Sequence, residues 1–450
     1  MVPNITLLDY AILPFVLFLI YFIAFRYRNK YYPHTHPYRA FFITSLTLKI
    51  VGAVFIGMVY EYYYQGGDTM NFFHDARIIN SAFADSPVKW LNLLFHLPNE
   101  NAIGYYNYIS QLYWYQDPSS YSVASLVAIL GLLLGTTYLP TAIIFAAISF
   151  IGIWALFRTF AKLYSDFVKP VAIAVLFIPS VIVWGSGIFK DTICIFGLGW
   201  LTYGIFQMLI QKNFRLGNIF FTLLSIWLVA RVKIYILVAF LPALLIWVLS
   251  LYTSRMQNAA ARFLVKLTVL SIAIAGSLYV MTSLGEDVLG RYSLSKLEET
   301  AQLTRSWIMY TSGDDGSAYD LGPMENINDM LLKFPLAVNV TLFRPYFWES
   351  RKLIILASAL EAFLFLMLTL KLIVTIGIRK CWHTISTDPT IQFCLIFAII
   401  FAFAVGLSTG NFGALSRYKI PCLPFYVLSI LIIYYKNAPP GKKLLKIFNI

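Results

Sequence analysis

The sequence predicts an all-α, polytopic integral membrane helical bundle of about 11 crossings, with a re-entrant segment and external amphipathic helices. Three observations predict it. Of the 450 residues, 59% are hydrophobic and only 12% charged, and the mean hydropathy is +0.73. Soluble chains carry about 45–50% apolar and roughly 25% charged residues. This chain has too little polar surface to face water, which excludes a soluble enzyme and a disordered chain alike. The apolar residues also fall in continuous runs rather than in period-two alternation, which excludes an outer-membrane barrel.

Taken in order, runs near 9–25, 41–62, 139–157, 171–187, 191–208, 217–230, 234–252, 265–284, 353–376, 390–407 and 421–435 are the expected crossings. The first is an anchor and not a cleaved leader, because Arg26, Arg28 and Lys30 follow its apolar core and no basic segment precedes it. The stretch from Tyr121 to Phe157 is long enough for two helices, but charge parity admits one crossing. Residues 122–136, ending at Gly135-Thr136-Thr137, are therefore read as re-entrant or interfacial. Residues 63–121 and 285–352 are the two sizeable external loops of a single membrane domain, 1–450.

Charge orients this arrangement. The loops 26–40, 158–169, 209–216, 253–266 and 371–388 and the tail after Tyr435 hold 19 Lys and Arg, against only Asp166 and Asp388. By the positive-inside rule that face is cytoplasmic, with the N-terminus outside and the C-terminus inside. The formal net charge of +13 is thus a topology signal, and no basic stripe with interleaved aromatics marks a nucleic-acid groove. Cys194, Cys381, Cys394 and Cys422 are scattered, without a CxxC pair or a zinc spacing, so no disulfide framework is expected.

The polar residues that interrupt the apolar runs gather on the non-cytoplasmic side. Gly66 and Gly67 release the chain from the second crossing, and an amphipathic helix is expected from Asp68 or Thr69. Asp68 and Asp75 then lie two turns apart on one face, with His74 beside it. Asp68 is an N-cap or a catalytic carboxylate, and one side chain can be both. Pro179-Ser180 and Trp184-Gly185-Ser186-Gly187-Ile188-Phe189-Lys190-Asp191 break a long apolar run. This is either an external turn whose charges rest among headgroups or irregular backbone lining an enclosed, watery cavity. Arg231 and Lys233 follow a crossing of about 14 residues, roughly 21 Å against a hydrocarbon core of about 30 Å. Unless they snorkel, both cations are recessed, and with no acid nearby in sequence they need an internal carboxylate or an anionic ligand.

Two further clusters complete the set. Arg344-Pro345-Tyr346-Phe347-Trp348-Glu349 closes the second external loop, with Arg344 and Glu349 read as a structural ion pair among interfacial aromatics. Gly410 to Lys419 forms another external turn bearing Arg417 and Lys419. Each of these two clusters alone is more readily architectural than chemical. Together, Lys190, Arg231, Lys233, Arg344, Arg417 and Lys419 beside Asp68, His74 and Asp75 suit a phosphate or diphosphate held by cations next to a carboxylate base. Tyrosines such as Tyr60 and Tyr105 and the indole of Trp114 stack on sugar rings or form an interface belt. Lys49 and Glu361 lie inside crossings, where they snorkel or pair, and neither is assigned a role.

Gly67-Asp68-Thr69-x-x-Phe72-x-x-x-Ala76 after an early crossing resembles the first-loop acidic motif of the GT-C glycosyltransferase superfamily. The resemblance implies a bacterial enzyme at the outer face of the cytoplasmic membrane that uses a polyprenyl-phosphate-linked sugar donor and a glycan or lipid acceptor. In that family Asp68 would be the base or would position the acceptor. Pro179-Ser180 through Lys190-Asp191 and Arg417-Tyr418-x-Ile420-Pro421-x-x-Pro424-Phe425 are similar to O-antigen and exopolysaccharide polymerases. Those enzymes grip polyprenyl diphosphates with external arginines, which map to Arg231, Arg344 and Arg417. Two features depart from the GT-C pattern: no second acid directly follows Asp68, and the N-terminus lies outside. The alternatives are a polymerase of polyprenyl-diphosphate-linked repeats, a transporter of an anionic lipid or glycan, and a non-catalytic scaffold. No cofactor is required; a divalent cation has one candidate, Asp314-Asp315, which reads more readily as an exposed acidic turn.

Overall fold

The computed structural model describes residues 4–253, 318–322 and 327–439, with a few positions between 258 and 306. Among the described residues the fold is all-α, and the sole departure is an isolated bridge between Ala318 and Asn411. Seven helices are long and apolar enough to cross a membrane: Leu7–Tyr31, Arg39–Tyr63, Tyr138–Leu163, Lys190–Ile210, Leu216–Thr253, Leu353–Ile376 and Pro389–Thr409. Phe412–Tyr418 and Leu423–Asn437, bent by 69°, make an eighth if they form one broken span. The chain is a multi-pass membrane protein.

Several expected crossings take another form. The 171–187 run is divided into helices Val168–Leu176 and Pro179–Trp184, because Pro179 has no N–H to continue the first and disfavours helical backbone at the residue before it. The 217–230 and 234–252 runs are two helices that follow one another directly within Leu216–Thr253 and meet at a kink, where Lys233 is non-helical (φ −149°, ψ 74°). Of the two cations expected to be recessed there, Lys233 is buried and Arg231 is exposed. Segment 122–136 falls in helix Pro118–Leu133, 16 residues long and so about 24 Å, short of the hydrocarbon thickness. The 265–284 crossing, apart from a few positions, and Asp314-Asp315 lie outside the described residues.

The chain divides into two compact units: residues 1–159, 181–204 and 216–233, and residues 160–180, 205–215 and 234–450. In the first unit, helix Asp68–Asp85 packs along Pro118–Leu133, where Asn80 Nδ2 donates to the Ala128 carbonyl at 3.0 Å. Two other helices meet backbone to backbone. A Cβ on Gly199 would lie 1.9 Å from the Gly152 carbonyl oxygen, so only glycine permits the approach, as is usual where apolar helices gain contact from close packing. Helix Leu7–Tyr31 leaves Phe15, Phe18 and Ile23 exposed, a surface suited to lipid tails and not to water.

The second unit has an aromatic core. Trp247 stacks on Phe393 with centroids 4.9 Å apart, and Phe240 meets Phe393, Phe397 and Phe425 edge-on. Helix Phe334–Phe343 lies against Pro389–Thr409, where a Cβ on Gly406 would come within 2.3 Å of the Ala337 oxygen. Asp388 starts the latter helix by accepting from the Thr390 and Ile391 N–H groups at 2.8 and 3.1 Å, and it also accepts from Lys436 at 2.5 Å. The four cysteines are buried as free thiols.

Candidate functional site

In the first unit one segment, residues 113–122, gathers the polar chemistry. On one side stands helix Asp68–Asp85, begun by Gly66 and Gly67 at φ +149° and +112°. Gly67 is the N-cap, so Asp68 is the first helical residue and not the cap; its carboxylate sits half-buried at the positive end of the helix dipole. Asp75, wholly buried, accepts the Tyr113 N–H at 3.0 Å and the Trp114 N–H at 2.9 Å, with His74 Nδ1 at 3.3 Å. Burial pushes the Asp75 carboxyl above the usual carboxylate range, although the two amides and His74 oppose it. Asp75 and His74 thus hold a loop, and His74 also rests on the Tyr113 ring at 4.9 Å.

On the other side the same segment meets the broken helix and the start of Lys190–Ile205. Asp117 caps Pro118–Leu133 through the Ser119 N–H at 3.1 Å, accepts from Ser120 Oγ at 2.5 Å, and pairs with Lys190 at 3.3 Å. Burial raises its carboxyl, but the Lys190 ammonium and the Ser120 hydrogen bonds outweigh that and hold it below the ordinary range. The next residue, Asp191, is wholly buried and pairs with the buried Lys233 at 2.5 Å. Lys233 is the residue that breaks its helix, and the Val232 carbonyl beside it accepts from Ser119 Oγ at 2.7 Å. A carbonyl released by a break is thereby satisfied by a side chain, as burial requires.

Arg231 stands apart from this alternating chain of acids and bases. It is exposed, its Nε donates to Ser122 Oγ at 2.9 Å, and no carboxylate pairs with it among the described residues. Its charge acts on His96, whose ring packs against Tyr115 and Tyr121 at 4.5 and 4.4 Å. Burial, ahead of that charge, holds the His96 imidazole below its ordinary range. Trp114 Nε1, buried in the same segment, has no protein partner.

The Gly185-Ser186-Gly187 break belongs to the first unit as well. Lys49, from helix Arg39–Met58, donates to the Gly185 carbonyl at 2.8 Å, the Val181 carbonyl at 2.9 Å and Ser149 Oγ at 3.2 Å. The irregular backbone is therefore enclosed by protein. A Cβ on Gly185 would stand 2.9 Å from Lys49 Nζ and 2.5 Å from the Val181 oxygen, so glycine is required for the ammonium to reach.

In the second unit, Arg344 forms a two-pronged pair with Glu349, and its guanidinium lies over the Tyr319 and Phe412 rings at 5.8 and 5.2 Å. Arg417 is buried, 5.9 Å from the Tyr418 ring centroid. Lys419 is wholly buried, and its Nζ reaches the Arg344 carbonyl at 3.4 Å. Glu361, buried in helix Leu353–Ile376, accepts the Ser180 N–H on Oε2 at 2.8 Å, while Oε1 has no protein partner.

The structure therefore brings Lys190, Arg231, Lys233, His74 and Asp75 onto residues 113–122 and their neighbours, and it places Arg344, Arg417 and Lys419 in the second unit. Lys190 and Lys233 obtain their counter-charges internally, as does Arg344. Asp117 was missed by reasoning from sequence, although Asp117-Pro118-Ser119-Ser120 is a legible helix start, an N-cap with proline at the first position. Asp191 was visible only as a neighbour of Lys190. Among the described residues no group of three or more His, Cys, Asp or Glu side chains is placed to hold a metal ion. No family model, curated protein or solved structure matches the chain.

Proposed function

We propose that this membrane protein transfers a sugar from a polyprenyl-phosphate-linked donor to an acceptor at the outer face of a bacterial cytoplasmic membrane. One observation carries the reading: Arg231 is an exposed guanidinium that no carboxylate neutralises among the described residues, held by Ser122 beside the Asp117–Lys190 and Asp191–Lys233 pairs. A guanidinium with open N–H donors is a fork suited to phosphate oxygens. The paired charges around it fix its support without competing for the ligand. A phosphate is a weakly basic leaving group, so a cation that stabilises its developing charge is the main requirement. Asp68 is the proposed base for the acceptor hydroxyl, and the exposed Tyr113 ring supplies a face for a sugar.

A second reading, transport of an anionic lipid or glycan, draws support from Lys49, Glu361 and Lys419, which are ionisable yet buried on apolar helices or at a helix bend. One experiment separates the readings. In a strain lacking the gene, surface polysaccharide and lipid-linked intermediates are analysed after complementation with wild type, Arg231→Ala, Arg231→Lys and Asp68→Asn. Transfer predicts truncated glycans with accumulated donor for Arg231→Ala and Asp68→Asn, and partial recovery for Arg231→Lys. Polymerisation predicts single lipid-linked repeats, and transport predicts complete intermediates confined to the inner leaflet. Full complementation by Arg231→Ala discards the proposal.

A further inference from the structure

Three buried polar groups of the second unit have hydrogen-bonding capacity that its own side chains do not meet. Glu361 Oε1 and Ser180 Oγ have no protein partner, and they sit together, since the Ser180 N–H donates to the other carboxylate oxygen at 2.8 Å. Lys419 Nζ, wholly buried, has three donors and one long acceptor, the Arg344 carbonyl at 3.4 Å. The Lys419 charge acts on Glu361, yet no hydrogen bond or ion pair joins the two. The elements packed against helix Leu353–Ile376 also carry Glu349, Arg417, Tyr426 and Lys436.

The cost of leaving such groups unsatisfied, about 1–3 kcal/mol each and more when charged, demands an occupant. Its chemistry follows by elimination. A metal ion would face the Lys419 ammonium with one carboxylate to hold it, and an anion would face the carboxylate. Water meets every requirement: it accepts from Lys419 and donates to Glu361 Oε1 and Ser180 Oγ. Water between a buried acid and a buried base is also a path for a proton, the usual role of ionisable residues at membrane depth.

We propose that Glu361, Ser180 and Lys419 enclose a proton-binding site in which water joins the carboxylate to the ammonium. Bulk solvent supplies the proton: the bridging water gives one proton to Glu361 Oε1 as it receives another from solvent, so the water is regenerated and the neutral carboxyl donates back to it. Infrared difference spectroscopy of the full chain in lipid nanodiscs, titrated with acid, reads this site directly through the carbonyl stretch of a protonated carboxyl. Wild type should show a titrating band, shifted in heavy water because its proton exchanges, and Glu361→Gln should lack it. Lys419→Met removes the opposing charge, so Glu361 should bind its proton about tenfold more tightly and the midpoint should move to higher pH. Ser180→Ala should shift the band's frequency, as one hydrogen bond to the bridging water is lost. A spectrum unchanged by Glu361→Gln, or a midpoint unmoved by Lys419→Met, overturns the proposal. Should Glu361→Gln fail to fold, the Lys419→Met midpoint and the Ser180→Ala frequency decide it. None of these readouts depends on Arg231 or on glycan assembly.

Discussion

Lys49 in the first unit and Lys419 in the second are alike in sequence terms, each a lone cation within or beside apolar helix, and both are nearly or wholly inaccessible (2% and 0% exposed). Their surroundings differ. Lys49 spends its three donors on two backbone carbonyls and a serine hydroxyl, all supplied by the break at 181–187 and its neighbour helix. Lys419 has one acceptor at 3.4 Å and a carboxylate that it influences but does not touch. The first arrangement is closed: the lysine serves as the cap that lets irregular backbone persist in an apolar interior. The second is open: the Lys419 ammonium has a single long acceptor, and Glu361 Oε1 has no protein partner. Burial of a charge is therefore no guide to its role; the saturation of its hydrogen bonds is.

The largest expected effect tests that contrast. Lys49→Met removes three hydrogen bonds of a buried ammonium, although the Val181 oxygen keeps the Gly185 N–H and the Gly185 oxygen keeps Ser149 Oγ, and should cost about 2–3 kcal/mol of stability. Lys419→Met gives up one long bond to protein and one to the bridging water, and proton uptake by Glu361 offsets the lost charge, so it should cost less, about 1 kcal/mol. Thermal unfolding of both variants in one detergent checks the order, and equal losses would break the comparison. Next, Gly185→Ala places a methyl against Lys49 Nζ and the Val181 oxygen, an overpacking expected to cost about 1–3 kcal/mol. Combined with Lys49→Met, its additional cost should shrink, since one of the two clashes has been relieved.

The smallest effect concerns an ion pair that is only partly buried. Asp117 titrates in the folded protein below its unfolded value, burial opposing and the Lys190 ammonium prevailing. A carboxyl of depressed pKa contributes stability that is complete above its unfolded value, about pH 4, and that is lost as pH falls through the folded one. Asp117→Asn keeps an N-cap side chain while removing the charge. It should flatten the acid limb of a stability profile below about pH 4 and cost about 1 kcal/mol or less at neutral pH. An unchanged acid limb would show that Lys190 is held by something other than this pair. Asp75, raised by burial, has the opposite sign: its ionised form disfavours the fold, and that cost grows as pH rises through its folded value.

Much of the candidate site was visible from residue types alone, and the reason differs from place to place. Gly66-Gly67 before Asp68 marked a helix start because only glycine accepts φ of +149° and +112° without strain. Trp184 to Asp191 marked a break because small residues do not sustain a buried helix. The geometry 231–233 was foreseen as a pair of recessed cations; the structure leaves Arg231 exposed and buries Lys233 alone. Sequence spacing could not separate them, because the orientation of each side chain depends on the single non-helical residue, Lys233. Nor could it find the partners, which are distant in the chain: Asp191 lies 42 residues from Lys233 and Asp117 lies 73 from Lys190.

By itself, then, the sequence determined the class of fold, since continuous apolar runs and few charges leave helices in a membrane as the solution that satisfies the backbone. It also determined where those helices would be interrupted, since proline, paired glycines and stray charges act locally. Tertiary structure alone decided which charges neutralise one another and which remain open. That outcome is set by a few ångströms between side chains from separate helices, and ion pairs and unmet hydrogen bonds depend on such distances while hydropathy does not.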